Sequence, residues 1–134
     1  SGAAGTISAA PVHAKRGTFQ VRVPANVEIV DTGLDVVQNQ TVEVVANGKV
    51  IWRRGSSEYC TPDGTPGTNK GFWKKIPNTN TGALIGRIGE NYDYFPIGAK
   101  RTFRVLVSGR LYLAVNDDNN RDNQGGYAVT IRLE

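Results

Sequence analysis

Cysteine and histidine are almost missing from this chain: Cys60 and His13 are its one residue of each type among 134. A single cysteine allows no internal disulfide and no cysteine-based zinc site. A single histidine leaves His-dependent catalysis almost nothing to work with. No nucleophile elbow, phosphate loop or metal-hydrolase histidine pair occurs either, so enzymatic activity is not expected. No apolar run approaches the roughly 20 residues that a membrane helix requires, so no membrane insertion is expected. Methionine is absent, and nowhere does a helical period hold over ten residues. The first residues, Ser1-Gly2-Ala3-Ala4-Gly5, lack the charged-then-apolar order of a signal peptide.

What is there points to strands. Glycine is plentiful at 16, and Val, Ile, Thr and aromatic residues recur in short bursts between turn residues. Residues 1–16 are small, polar and aperiodic and are expected to be a flexible lead-in. From residue 17 to 134 a single domain is expected. Phe19–Val23 and Thr41–Val45 alternate as half-buried strands do. Asn47-Gly48 reads as a hairpin with Lys49–Trp52 as its second strand. Leu84–Ile88, Arg101–Val107, Arg110–Val115 and Tyr127–Leu133 supply more strands, with Phe95–Gly98 leading into the second of these. Many short strands with Gly-rich turns predict an all-β fold, a jelly-roll-like antiparallel β-sandwich. Gly55 to Thr81, with Pro62, Pro66 and Pro77, should be one long surface loop; Tyr59, Phe72 and Trp73 favour an ordered one. The basic doublets Lys15-Arg16, Arg53-Arg54, Lys74-Lys75 and Lys100-Arg101 are scattered, which suits a solvated surface rather than a nucleic-acid groove.

The densest chemical signal is Asn116-Asp117-Asp118-Asn119-Asn120-Arg121-Asp122-Asn123. Three carboxylates and four amides crowd between two strands, where like charges repel and only Arg121 offers relief. Calcium would suit such a loop, because it takes carboxylate, amide and carbonyl oxygens. The lack of Cys and His disfavours zinc and softer metals. An EF-hand is excluded, since no Glu closes the loop and strands flank it. A polar hairpin loop whose Asp and Asn side chains merely cap turns fits these residues as well.

The order of motifs adds to this. Gly82–Gly89, Phe95–Gly98, Ser108–Asp117 and Asp122–Tyr127, with Val23-Pro24-Ala25, Asp31–Leu34 and Pro62-Asp63-Gly64 upstream, resemble the PA-IL-like calcium-dependent galactose lectins. The same blocks occur in related domains appended to secreted bacterial enzymes. The resemblance implies a jelly-roll sandwich with Ca2+ at one end and two sugar hydroxyls completing its coordination. By position it makes Asp117, Asp122 and Asn123 side-chain ligands. It draws one main-chain carbonyl from the Asn119–Arg121 segment, with Asn119 and Asn120 the candidates, and another from Trp52. It also implies a carbohydrate partner, and a secreted, periplasmic or cell-surface module of a larger protein. Three departures stand out: Asp122-Asn123 replaces the lectin's Asn-Asn pair, the loop is about two residues shorter, and the lectin's sugar-contacting His and Gln have no counterpart.

A sugar held through Ca2+ would also bond Asp117, Asp122 and Asn123. Tyr59 or Trp73 could stack on its apolar face, and Asp63 could accept a hydroxyl. Trp52 and Trp73 would serve equally as packing residues, and Asp63 as a turn residue before Gly64. Two other functions fit the composition: a structural or adhesion domain stiffened by Ca2+, and an anionic-glycan module using basic residues.

Overall fold

Period-two alternation of apolar side chains decides the architecture. The computed structural model describes residues 14–71, 73–90 and 93–134. Its strands are β1 Gly17–Pro24, β2 Val30–Val36, β3 Thr41–Ile51, β4 Leu84–Ile88, β5 Phe95–Pro96, β6 Lys100–Arg104, β7 Gly109–Val115 and β8 Gln124–Leu133. Among the described residues the only helical piece is a 3-10 turn, Asn120–Asp122.

The strands form two antiparallel sheets, ordered β1-β8-β3-β6 and β2-β7-β4-β5. First pairs with last, second with seventh, third with sixth and fourth with fifth, which is the winding of a jelly roll. Val42, Val44, Tyr127, Val129, Ile131 and Leu133 line the inner face of one sheet, and Leu34, Val36, Leu84, Leu111, Leu113 and Val115 that of the other. All belong to one core cluster. Each large aliphatic side chain so buried contributes about 1.5–3 kcal/mol, and a one-residue slip would turn its whole row outward. The expected all-β sandwich is therefore the fold the chain adopts.

Several local expectations need correcting. Asn47-Gly48 makes no hairpin: β3 runs straight through it and pairs with β8 from Val42↔Leu133 to Ile51↔Gln124. Gly48 (φ +129°) is required there because a Cβ would lie 2.4 Å from the Gly126 carbonyl oxygen. The glycine marks a close approach of backbones rather than a turn. β6 ends at Arg104 instead of Val107, because Val105 bonds back to Gln40 and the chain then crosses sheets. β2 has no clean alternation in its sequence; its register slips between Asp31 and Asp35, around Gly33. At the lead-in, Ala14 is buried and the Lys15 carbonyl accepts from the Gln40 amide, so the fold begins before residue 17. Residues 1–13 of that lead-in, with His13, lie outside the described residues, as does Phe72.

The topology gathers three connections at one end of the sandwich. The β7–β8 link crosses from one sheet to the other through residues 116–123, and the long β3–β4 link crosses beside it. The β1–β2 connection meets both: the Ala25 carbonyl accepts from Asn120 and Asn123 of the crossover, and Glu28 pairs with Lys75 of the β3–β4 link. Gly48→Ala combines an unfavourable φ with the carbonyl clash and should cost at least about 1–3 kcal/mol. A urea midpoint equal to wild type would show that β3 and β8 do not approach so closely.

Candidate functional site

The crossover after β7 is anchored by Asn116, which is fully buried. Its side-chain N–H groups donate to the carbonyls of Ile76, Thr79 and Asn80 at 3.0–3.2 Å, and its Oδ1 accepts from Ile76 N at 2.9 Å. Its backbone bonds Gly82 and Ala83. One asparagine thus ties the loop to the far end of the β3–β4 link.

Asp117 follows, buried to 4% exposure. Burial raises its pKa above the ordinary 3.8; hydrogen bonds from Asn123 and the Asp118 N–H oppose this, and the Asp118 carboxylate adds to it. Asn120 is committed to the scaffold. Its Nδ2 donates to the carbonyls of Ala25 (3.1 Å) and Val115 (3.2 Å), and its Oδ1 accepts from Lys75 Nζ at 2.7 Å. Asn119 caps the 3-10 turn through Arg121 N. Asp122 is exposed, and its carboxylate makes no hydrogen bond or ion pair with a described residue.

Asn123 closes the loop at 5% exposure. Its Nδ2 donates to the Ala25 carbonyl at 3.1 Å. Only an N–H can satisfy that carbonyl, so the amide's orientation is set and Oδ1 faces the other way. This oxygen has no partner; with Thr81 Oγ1 it is one of two such buried side-chain atoms among the described residues. An orphaned buried acceptor costs about 1–3 kcal/mol.

The rim comes from the β3–β4 link. Trp52 follows Ile51, whose partner Gln124 follows Asn123, so Trp52 and Asn123 sit at the same end of the ladder. Trp52 Nε1 donates to Thr65 Oγ1 at 2.8 Å, and its ring meets that of Trp73 at 6.4 Å. Trp73 is 46% exposed and Tyr59 56%. Tyr59 lies under Lys49 Nζ, 4.4 Å from its ring centroid. Asp63 is held elsewhere: Oδ1 accepts from Ala99 N at 2.8 Å, stapling the turn to the start of β6.

Compared with known proteins, the chain is 32% identical over 120 residues to "Lectin A" of Photorhabdus laumondii subsp. laumondii, covering 84% of this chain and 88% of that protein. The chain belongs to the Lectin A family. Lectins are carbohydrate-binding proteins without catalytic activity, in keeping with the missing catalytic residues. Among solved structures it is similar to an "EclA N-terminal domain; PllA-like lectin", with TM-score 0.61 and 24% identity over 87% of this chain and 95% of that one; this likeness concerns the fold. No family model matches the chain.

In this lectin domain, the residues anticipated as ligands fall into groups. Asp117 and Asn123 are hydrogen-bonded to each other, and Trp52 lies at the same end of the β3–β8 ladder as Asn123. Asn119 and Asn120 lie on the loop between Asp117 and Asn123; Asp122 faces solvent; Asp63, Tyr59 and Trp73 are spread along the neighbouring loop. No three of His, Cys, Asp and Glu gather among the described residues, so a cation here would depend on amide and carbonyl oxygens too. The donor set suits a hard cation in its chemistry, since it offers a desolvated carboxylate and an unpartnered amide oxygen on hydrogen-bonded residues.

Four residues, Lys74, Lys75, Arg121 and Cys60, have roles that the sequence reading missed. Lys74-Lys75 does not belong to a solvated surface. Lys74 Nζ donates to the carbonyls of Thr68 and Lys70, and Lys75 Nζ to the Asp117 carbonyl and Asn120. Arg121, expected to relieve the acids, is exposed instead. Cys60 is buried with Sγ 3.5 Å from Tyr127 Oη, whose oxygen sits 2.8 Å and 2.7 Å from the Thr61 and Gly82 carbonyls, tying the loop's two ends. No local pattern announces such partners, since each contact joins distant segments.

The raised pKa has a consequence of definite sign. Between the ordinary and the folded pKa the native state holds the Asp117 proton more tightly than the unfolded chain does. Ion-free stability therefore falls as pH rises through that window and stays lowered above it. Asp117→Asn should then be at least as stable as wild type in EDTA at neutral pH, with the gap closing in acid below 3.8. Urea midpoints at the two pH values check this; a variant clearly weaker at neutral pH would contradict it.

Proposed function

We propose that this lectin domain binds galactose-type or other vicinal-diol sugars through a Ca2+ ion held at the β7–β8 crossover. The observation that carries the reading is Asn123 Oδ1: buried, oriented by its amide's bond to Ala25, and without a partner, on the residue whose amide N–H bonds the desolvated Asp117 carboxylate. Among the described residues nothing repays the Asn123 oxygen for its lost water, and the Asp117 carboxylate is repaid only in part, by N–H groups of Asn123 and Asp118.

Asp117 and Asn123 would hold the ion from the buried side, Asp122 from the solvent side, with main-chain carbonyls of Trp52 and the Asn119–Arg121 segment. Bound calcium supplies a coordination sphere of roughly six to eight oxygens that sugar hydroxyls can share with water. The chain's own groups do the rest. Asp117 and Asp122 accept hydroxyl protons that a neutral amide would bind less strongly. Asp122 in place of an amide adds charge, which tightens such sites. Trp73 and Tyr59, both exposed on the adjoining loop, offer apolar faces to a pyranose ring. The domain would act outside the cytoplasm, as a secreted, periplasmic or surface protein.

Calorimetric titration with a galactoside, in calcium and then in excess EDTA, tests the reading. Binding should appear with calcium, vanish with chelation, and be absent in Asp117→Asn. Calcium at 100 times its Kd should add about 2.7 kcal/mol to wild-type stability and nothing to the variant. Sugar binding that survives chelation would sink the mechanism. A calcium-stabilised protein that binds no sugar would instead make the ion structural.

A further inference from the structure

We propose that Lys75 is a positioning residue for this site: an internal cation that holds the loop in its ion-ready form before any ion arrives. The functional half of the proposal rests on the calcium reading above.

The Lys75 side chain is only 11% exposed. An ammonium has three protons, and Lys75 has three acceptors for them: the Asp117 carbonyl at 2.8 Å, Asn120 Oδ1 at 2.7 Å and Glu28 Oε2 at 3.4 Å. These belong to the two halves of the loop and to the β1–β2 connection. A lysine from the β3–β4 link thus joins all three connections at this end of the sandwich.

The consequences run to the ligand atoms. Fixing the Asp117 carbonyl fixes the following peptide plane, whose Asp118 N–H donates to Asp117 Oδ1 at 2.8 Å. That bond orients the carboxylate. Fixing Asn120 Oδ1 completes that side chain's bonds and seats the turn, and the Asn120 carbonyl then accepts from Asn123 N at 3.0 Å. The ammonium touches the main-chain side of Asp117 and leaves its carboxylate free, so it organises the cation's place without filling it. Its charge would repel a divalent ion, an effect that pairing with Glu28 reduces. Ordering the loop and repelling the ion have opposite signs, and the proposal is that ordering dominates.

The test uses the whole domain with Lys75→Met, which keeps the stem and removes the charge, and Lys75→Arg, which keeps the charge. Calcium titration should give Met a Kd about 10- to 100-fold above wild type, the range for residues supporting metal ligands, with Arg recovering part of the loss. In EDTA, amide exchange at Asp118 and Asn123 should speed up in the Met variant while the β3–β8 ladder keeps its protection. Should Met fail to fold, Glu28→Gln, at an exposed position, should weaken calcium in the same direction by a smaller factor. Equal or tighter calcium binding by the Met variant, or by Glu28→Gln in its stead, overturns the proposal, because repulsion would then outweigh ordering. So does unchanged exchange at Asp118 and Asn123. If wild type takes up no calcium at all, the functional reading fails, and the exchange data alone decide what Lys75 holds.

Discussion

Two oxygen-bearing groups are kept from water at the sandwich's end: Asn123 Oδ1, which has no partner among the described residues, and the Asp117 carboxylate, which has only the N–H groups of Asp118 and Asn123. Everything nearby can be understood as the means of keeping them there. Ala25 turns the Asn123 amide, Asp118 N–H aims the carboxylate, Asn120 seats the turn between them, and Asn116 clamps the loop to its neighbour. A protein stabilised for its own sake would hydrate these groups or replace them. Their retention in a buried wall is the physical argument for a cation.

The jelly-roll winding makes such a site possible. Its crossovers carry the chain between sheets at the sandwich ends, where residues distant in sequence meet on a rigid frame. The β3–β8 ladder, drawn tight where Gly48 opposes Gly126 and Tyr127, brings the end of β3 level with the end of the loop. The buried core behind it, from Val23 to Leu133, sets the register on which that alignment depends.

Much of the fold was legible in the sequence because half-buried strands announce themselves by period two: β1 and β8 appear nearly where alternation puts them, and β4 and β7 where short apolar runs between turn residues do. What misled was glycine. Asn47-Gly48 carries the local signature of a turn, yet the opposing backbone of β8, invisible in any local window, requires a glycine there in a straight strand. β2 hid behind its own bulge. The acidic loop stood out by composition, but the roles within it did not. Asn120 serves the scaffold, Asn123 leaves an oxygen bare, and the lysine bonded into the loop is Lys75, some forty positions earlier. Lysine is charged wherever it stands in a sequence; only tertiary contact distinguishes a structural ammonium from a solvated one.

The central claim is that Asn123 Oδ1 and Asp117 await a hard cation that a sugar can reach. A crystal structure of the domain grown with calcium and a galactoside tests it most directly. The account predicts one ion bonded to both residues, at the roughly 2.3–2.6 Å typical of calcium–oxygen bonds, with two sugar hydroxyls in its shell. A water molecule bonded to Asn123 Oδ1, with no ion between it and Asp117, would contradict the account.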